Sequence, residues 1–383
     1  MAVPGEEKVV CRLGLVLDPL DVLFFRDGRP FEAGYHLGSG LPLPQTLAGA
    51  LRTAMLSSRG FDFRAFSKAV KEGTAVKDAL RNQDVPEWII EARFLGPWLA
   101  LVDRKDVPEP LLSVPASLVF DGDKGEWIRM DPLRGELPGW NPSGGYAGLR
   151  PLWIRGRARA KARSGFLRLS GIKAFLEGGV PKEGDFVRES ELFSVDQRTG
   201  IVIDPETLAA QEGMIYSAGM VALNPGIGKE TAVKLYCEVL FQEPTIEKER
   251  ALADGETIPL GGQSRYVACR QVDPVDWPEG PGKSSGDGEL LLLASPGIFR
   301  RGWQPDLPEA CRWVSAAVSG SLAVSGWDVA MGGPKPTRFA VPAGSVFFAE
   351  GEVKLPESRS LCQDEEDAAQ GWGFTLKGVW NHV

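Results

Sequence analysis

Glycine and proline break this chain into short apolar runs, and that punctuation limits what it can fold into more than any other feature. With 46 glycines and 29 prolines among 383 residues, concentrated in loops between short apolar runs, the pattern points away from a helical bundle. Each interior glycine costs roughly 0.5–1 kcal/mol relative to alanine, and each interior proline removes a backbone donor. The runs left between the breaks are strand-sized and rich in β-branched and aromatic residues. The pattern predicts strands over Val9–Phe25, Phe94–Val102, Leu111–Phe120, Met214–Leu223, Val233–Phe241, Tyr266–Val272, Leu290–Ala294, Arg338–Phe348 and Gly373–Trp380. Helices are fewer. Gln45–Ser58 sets Leu47, Leu51 and Met55 four apart, with shorter candidates at Ile172–Leu176 and Pro308–Val318. Four stretches read as loops or insertions: Asp103–Pro110, Arg134–Pro151, Asp273–Gly288 and Pro356–Gln370. The last carries the acid run Asp364–Asp367, whose ordinary reading is a solvated surface loop. Strands interleaved with isolated helices indicate an α+β protein with helices on one face of antiparallel sheets, and the spacing permits two β-α-β-β-α-β units.

Composition narrows the function. A net charge of −8 argues against a protein that coats nucleic acid indiscriminately, because that affinity comes from neutralising phosphates with Lys and Arg. The aliphatic run Leu290–Ala294 is far below the roughly 20 apolar residues of a spanning helix. The N-terminus MAVPGEEKVV holds no signal-peptide core, so a cytoplasmic location with no membrane contact is expected. Cys11, Cys237, Cys269, Cys311 and Cys362 lie far apart without C-x-x-C spacing and read as free thiols. With only His36 and His382, no metal site is expected.

Local catalytic signatures are missing. "GPGKSS" at Gly280–Ser285 imitates a phosphate loop, but Trp277 stands where the first glycine is needed. Gly226–Thr231 fails in the same way. No G-x-S-x-G elbow or H-E-x-x-H helix occurs. His36, in the loop "FEAGYHLGSG", is the one candidate general base near neutral pH; a hydrogen-bonding or surface role is its plainer reading.

Positive charge gathers instead. Arg150–Lys173 holds eight basic residues and no acidic one. If extended, it aims Arg155, Arg157, Arg159, Lys161 and Arg163 to one side, where they could track a sugar-phosphate backbone, meet an acidic partner or stand in solvent. Two glycine-rich segments, Leu260–Arg270 and Gly326–Ser345, could gather backbone N–H groups into an anion nest, with Lys335 and Arg338 adding charge.

Taken in order, "LDPLDVLFFRDGRPF", "LPLPQTLAGALRTAML", "LFSVDQRTGIVIDPETLAAQEGMIYSAGMVAL", "LGGQSRYVAC", "GIFRRGWQP", "GWDVAMGGPKPTRFAVPAGSVFF" and "GWGFTLKGVW" resemble the third-subunit family of the Cmr complex, the type III-B CRISPR RNA-guided effector, of the RAMP superfamily. The resemblance implies two ferredoxin-like, RRM-related domains with long loop insertions, divided here as 1–225 and 226–383, the second carrying the glycine-rich loop. It also implies a non-catalytic subunit without cofactor that binds the 5′ handle of the CRISPR RNA and contacts the large polymerase/cyclase-like subunit and a backbone subunit. On that reading Arg26–Arg29 turns the chain after the first strand, and Arg26, Arg29, Phe31, Arg52, Arg198, Gly261, Gly262, Arg265, Gly332, Gly333, Lys335 and Arg338 bind RNA or support its binding. Arg52 and Arg198 have a structural alternative, pairing an acid at a seam. A metal-independent RAMP endoribonuclease that processes CRISPR RNA through His36 is the competing expectation.

Overall fold

A computed structural model of the chain describes residues 11–25, 36–37, 40–135, 137–140, 148–154, 159–204, 206–225, 231–241, 252, 254–281 and 286–383. In chain order, the elements that frame the molecule begin with β1 (Cys11–Pro19), β2 (His36–Leu37), α1 (Pro44–Ser57), α2 (Phe63–Lys71), β3 (Arg93–Asp103), β4 (Pro108–Pro110) and α3 (Leu169–Leu176). The middle of the chain supplies β5 (Phe193–Ile203), β6 (Ala210–Leu223), β7 (Thr231–Phe241), β8 (Thr257–Pro259), β9 (Tyr266–Val272) and β10 (Gly288–Leu293). Last come β11 (Arg312–Ala317), β12 (Leu322–Val324), β13 (Trp327–Asp328), β14 (Gly333–Pro334), β15 (Arg338–Ala340), β16 (Val346–Glu350), α4 (Glu365–Gln370) and β17 (Thr375–Trp380).

Two antiparallel sheets dominate. One is six-stranded, in the order β8-β9-β1-β7-β3-β4; the other is four-stranded, in the order β11-β16-β10-β17. β1 is central because its alternation serves both sides of the first sheet: Leu13, Leu15 and Leu17 enter a core beneath α1, and Val16 enters a second core on the opposite face. Leu47, Leu51 and Met55, spaced four apart on α1, fill the first core with Leu99 and Leu101 of β3. The second core is shared between the sheets. Val16, Trp98 and Tyr236 from one meet Leu290, Leu292, Phe348 and Trp380 from the other, and α3 adds Ile172 and Phe175. The four-leucine run of β10 follows from this layering: Leu290 and Leu292 face the shared core, while Leu291 and Leu293 face a third cluster with Phe347. The six-stranded sheet joins both sides of residue 225, since β7 and β9 pair with β1.

Several expected boundaries move. The expected strand Val9–Phe25 ends at Pro19, after which the chain leaves the ladder and Leu23 pairs with Val221 of β6. Leu111–Phe120 is broken by Pro115 into two short strands, Leu112–Ser113 and Leu118–Asp121. The expected helix Pro308–Val318 is the strand β11 instead. Val314 packs in the shared core and Trp313 against the opposite cluster, so burial on both faces overrides the helix propensity of its alanines. Arg338–Phe348 is two strands parted by a turn at Pro342–Ser345. The loop expected at Asp103–Pro110 contains β4, and the loop expected at Pro356–Gln370 contains α4.

Gly280 of the false phosphate loop is a packing glycine: a β-carbon there would lie 2.6 Å from the Leu176 carbonyl oxygen. Cys237 and Cys269 are buried free thiols, and the other three are half-buried. Among the described residues no three metal-binding side chains cluster, and no helix is long and apolar enough to cross a membrane.

Candidate nucleic-acid interface

Four of the expected RNA residues come together at the end of β1. After Pro19 the chain is tied to β9 by the Leu20 amide, which donates to the Tyr266 carbonyl at 3.1 Å. Asp21 then collects two guanidinium groups. Arg265 Nη1 donates to Asp21 Oδ2 at 2.6 Å, and Arg198 Nη1 stands 3.7 Å from the same oxygen while its Nε donates to Asp196 at 2.9 Å. The Asp21 carboxyl is held below its ordinary value, first by the Val22 amide and then by the charges of Arg198 and Arg265. Asp196 in turn raises the pKa of Arg198.

The glycine turn "LGGQSR" closes over this segment. The Gly262 amide donates to the Phe24 carbonyl at 2.8 Å, and the Leu260 amide to the Arg265 carbonyl at 2.9 Å. Gly261 adopts φ +86°, and a β-carbon on it would lie 2.5 Å from the Phe24 oxygen, so only glycine permits the approach. Arg198, Gly261, Gly262 and Arg265 therefore brace Asp21–Phe25, the segment that leads directly into Arg26, Arg29 and Phe31. Those three lie outside the described residues. The backbone of His36, in β2, pairs with Ser217 of β6, one residue from Ala218, which faces Arg198 across the hairpin.

The second glycine-rich segment divides into a clamp and an open turn. Arg338 grips Asp367 of α4 with two bonds of 2.8 Å, and this contact raises its pKa. The acid run is thus the first turn of a helix. Asp364 caps it by accepting from the Glu366 and Asp367 amides, and Glu365 meets Arg93 at 2.7 Å. Arg52 belongs to the same neighbourhood. Burial lowers its pKa against the opposing charges of Glu366 and Glu91, its guanidinium covers the Phe94 ring, and Nη2 donates to the Ala92 carbonyl at 3.3 Å. Arg52 and Arg338 are engaged within the protein. Lys335 differs: its amide donates to Gly326, and among the described residues its ammonium has no ion pair. Gly333 faces open space.

These placements give opposite expectations for two neighbours. Arg338→Ala leaves Asp367, whose side chain is 6 % exposed, without its cation. It is expected to cost about 2 kcal/mol in chemical unfolding, below the roughly 3–5 of a fully buried pair because Arg338 is 41 % exposed. Lys335→Ala is expected to leave stability within about 0.5 kcal/mol, and to lower the slope of log affinity against log salt by about 0.7 if it neutralises one phosphate of a single strand. Equal stability losses in the two variants would contradict this division.

The basic run over Arg150–Lys173 does not present one alternating face. Arg163 turns inward, 3.8 Å from the Phe186 ring centroid and 4.2 Å from that of Phe120, with its charge met by Glu183 at 3.1 Å. Arg168 pairs with Glu109, Arg150 Nη1 lies 2.8 Å from His382 Nε2, and Lys173 approaches Glu177 at 4.0 Å. Arg159 and Lys161 remain exposed; Arg155 and Arg157 lie outside the described residues. The aromatic pocket of Phe120, Trp127 and Phe186 draws Arg163 out of the expected row. Sequence reasoning missed Asp21, the shared acceptor, since a lone aspartate before a strand-end turn carries no signature of its own.

A family model described as CRISPR-associated protein (Cas_Cmr3) matches residues 15–380. Among solved structures, the chain is similar to one in the cryo-EM structure of the type III-B Cmr-beta bound to cognate target RNA and AMPPnP, state 1. The identity is 16 %, with 88 % of this chain and 86 % of that one covered and a TM-score of 0.48. A chain of the Cmr-beta bound to cognate target RNA matches at 18 % identity with the same coverages and a TM-score of 0.46. One from its apo state matches at 12 %, covering 69 % of this chain and 98 % of that one, with a TM-score of 0.31. No curated protein matches.

Proposed function

The chain belongs to the Cas_Cmr3 family of CRISPR-associated proteins, subunits of the type III-B Cmr effector, and from that premise we propose that it holds the 5′ handle of the CRISPR RNA and bridges the large polymerase/cyclase-like subunit to the backbone without cutting RNA itself. The observation that carries this reading is the convergence of Arg198, Arg265 and the Gly261–Gly262 turn on Asp21–Phe25, the segment that precedes Arg26 and Arg29 in sequence. Single-stranded RNA is gripped by fixed cations on phosphates and by bases laid on aromatic or guanidinium planes. A carboxylate that preorients two guanidiniums lowers the ordering cost of such a grip. The net charge of −8 is compatible with it, because a few local contacts suffice where neighbouring subunits hold the rest of the guide.

The architecture supports the two ferredoxin-like units that a RAMP protein would carry. In each major sheet the first and third strands are central, the fourth lies beside the first and the second beside the third: β9-β1-β7-β3 in one, and β17-β10-β16-β11 in the other. We keep the division into 1–225 and 226–383 as a proposal; the six-stranded sheet crosses it, with β7, β8 and β9 drawn from beyond residue 225.

The test is a photoreactive nucleotide at the guide 5′ end in the assembled particle. The expected result is transfer of label to this chain, on peptides bordering Asp21–Phe25 or Leu260–Arg265. Label found only on other subunits refutes handle binding. Repeat-RNA cleavage by the purified chain that disappears with His36→Ala would replace the non-catalytic reading with the endoribonuclease one.

A further inference from the structure

We propose that the exposed face of α2, with the turn between β13 and β14 set against it, is a second site for a single-stranded RNA backbone, separate from the grip around Asp21. This rests on reading the chain as an RNA-binding subunit. Arg64, Lys68 and Lys71 recur at helical spacing and project from one side of α2, all three exposed. Lys68 reaches Glu72 only at 4.0 Å, and among the described residues Arg64 and Lys71 have no ion pair. A helix with three cations on one face and little to neutralise them is unusual in a chain of net charge −8, and its natural complement is a polyanion.

The glycine-rich turn supplies the opposite wall. Ser67, on the same face of α2, donates Oγ–H to the Ala330 carbonyl at 2.5 Å, which fixes the turn to the helix. Gly332 takes φ +67°, and a β-carbon there would stand 3.6 Å from Lys71 Nζ; Gly333 beyond it faces open space. Glycine at both positions leaves room for a phosphate to approach the backbone beside that ammonium. Asp328 is the one carboxylate of the turn, and its Oδ1 accepts from the Met331 amide at 2.9 Å, so it shapes the turn. Past the turn stands Lys335. Trp327, 64 % exposed and paired across the ribbon with Pro334, offers a ring on which a base can stack. Cations beside an open glycine turn, with an uncovered indole on the ribbon that carries the turn, are the parts that hold a single strand by backbone and base together.

The experiment measures binding of a fluorescein-labelled 12-nucleotide RNA, unrelated in sequence to any guide, to the purified full-length chain by anisotropy across a salt series. Arg64→Gln/Lys68→Gln/Lys71→Gln is expected to weaken binding about tenfold or more and to flatten the salt slope by about 2, near 0.7 for each phosphate released. Trp327→Ala is expected to weaken binding at least about fivefold with an unchanged slope, as loss of a stacked base requires. Thermal melting of each variant at the wild-type temperature keeps misfolding out of the comparison. Failure of the wild-type chain to bind the RNA overturns the proposal, as does wild-type affinity and slope in the triple variant, or displacement of the RNA by polyglutamate at equal charge, which would mark an acidic protein as the partner. End-labelled guide still crosslinking to the triple variant in the assembled particle separates the loss of this site from failure of the handle reading.

Discussion

Arg12→Ala is expected to lower the stability of the chain by about 3 kcal/mol, the low end for a buried pair because Arg12 is 34 % exposed, read as a fall in the midpoint of equilibrium urea unfolding at constant slope. Glu238 lies on β7 with its side chain 0 % exposed, and among the described residues Arg12 of β1 is the one cation paired with it, reaching its two oxygens at 2.7 and 2.9 Å from Nη2 and at 3.1 Å from Nε. Oε1 also accepts from the Tyr236 hydroxyl at 2.8 Å and from Trp277 Nε1 at 3.0 Å. Arg12 and Tyr236 then reach the chain at Val275, one through its carbonyl and the other through its amide. Removing the guanidinium leaves a buried carboxylate facing one phenol and one indole, too few donors to replace water.

Controls sharpen the reading. Glu238→Gln keeps the shape and removes the charge, so it should cost clearly less than Arg12→Ala. The pair Arg12→Met/Glu238→Leu should recover much of the loss, since an apolar pair of similar volume avoids desolvating both charges. A loss below about 1 kcal/mol for Arg12→Ala would show that water reaches Glu238. The same network fixes a pH dependence. Burial first, and the charge of Glu238 next, push the Tyr236 phenol above its ordinary value of 10.0. The folded protein thus retains a proton that the unfolded chain gives up, and stability should be intact below pH 10 and fall as pH rises beyond it.

Burial on both faces explains which parts of the fold were legible in the sequence. β7, β9, β10 and β17 lie close to their expected bounds because continuous or alternating apolar runs of strand length have few other solutions. β11 was not legible, since its alanines suit a helix and only the two clusters that cover Trp313 and Val314 decide otherwise. The acid run read as solvated because its partners, Arg338 and Arg93, lie far away in sequence and appear only once β15 and β3 are in place. α2 was missed for a related reason: its nine residues bury no side chain completely, so the apolar stripe that marks a core helix is faint. Among the site residues, glycines with a backbone task were readable as glycines. Which arginines are free was not, because Arg163 and Arg338 differ from Lys335 only in the rings and carboxylates that the fold delivers to them.

Arg198→Ala combined with Arg265→Ala is expected to reduce guide retention in the assembled particle by about ten- to a hundredfold at moderate salt. It should also lower the salt slope by about 1.4, two phosphates at near 0.7 each. A hydrogen bond to a charged group contributes about 1.5–3 kcal/mol, but the two guanidiniums already share Asp21, so only part of that is available to a phosphate. Asp21→Asn decides between the two meanings of the cluster. If Arg198 and Arg265 exist to pin the strand end to the glycine turn, Asp21→Asn and Arg265→Ala must behave alike: each loosens the turn, and neither changes the salt slope. If Asp21 holds the arginines ready for RNA, Asp21→Asn removes the competing anion and frees two cations. Retention should then hold or rise while the double arginine variant loses it, because an Asn side chain still accepts a hydrogen bond yet carries no charge to outbid a phosphate.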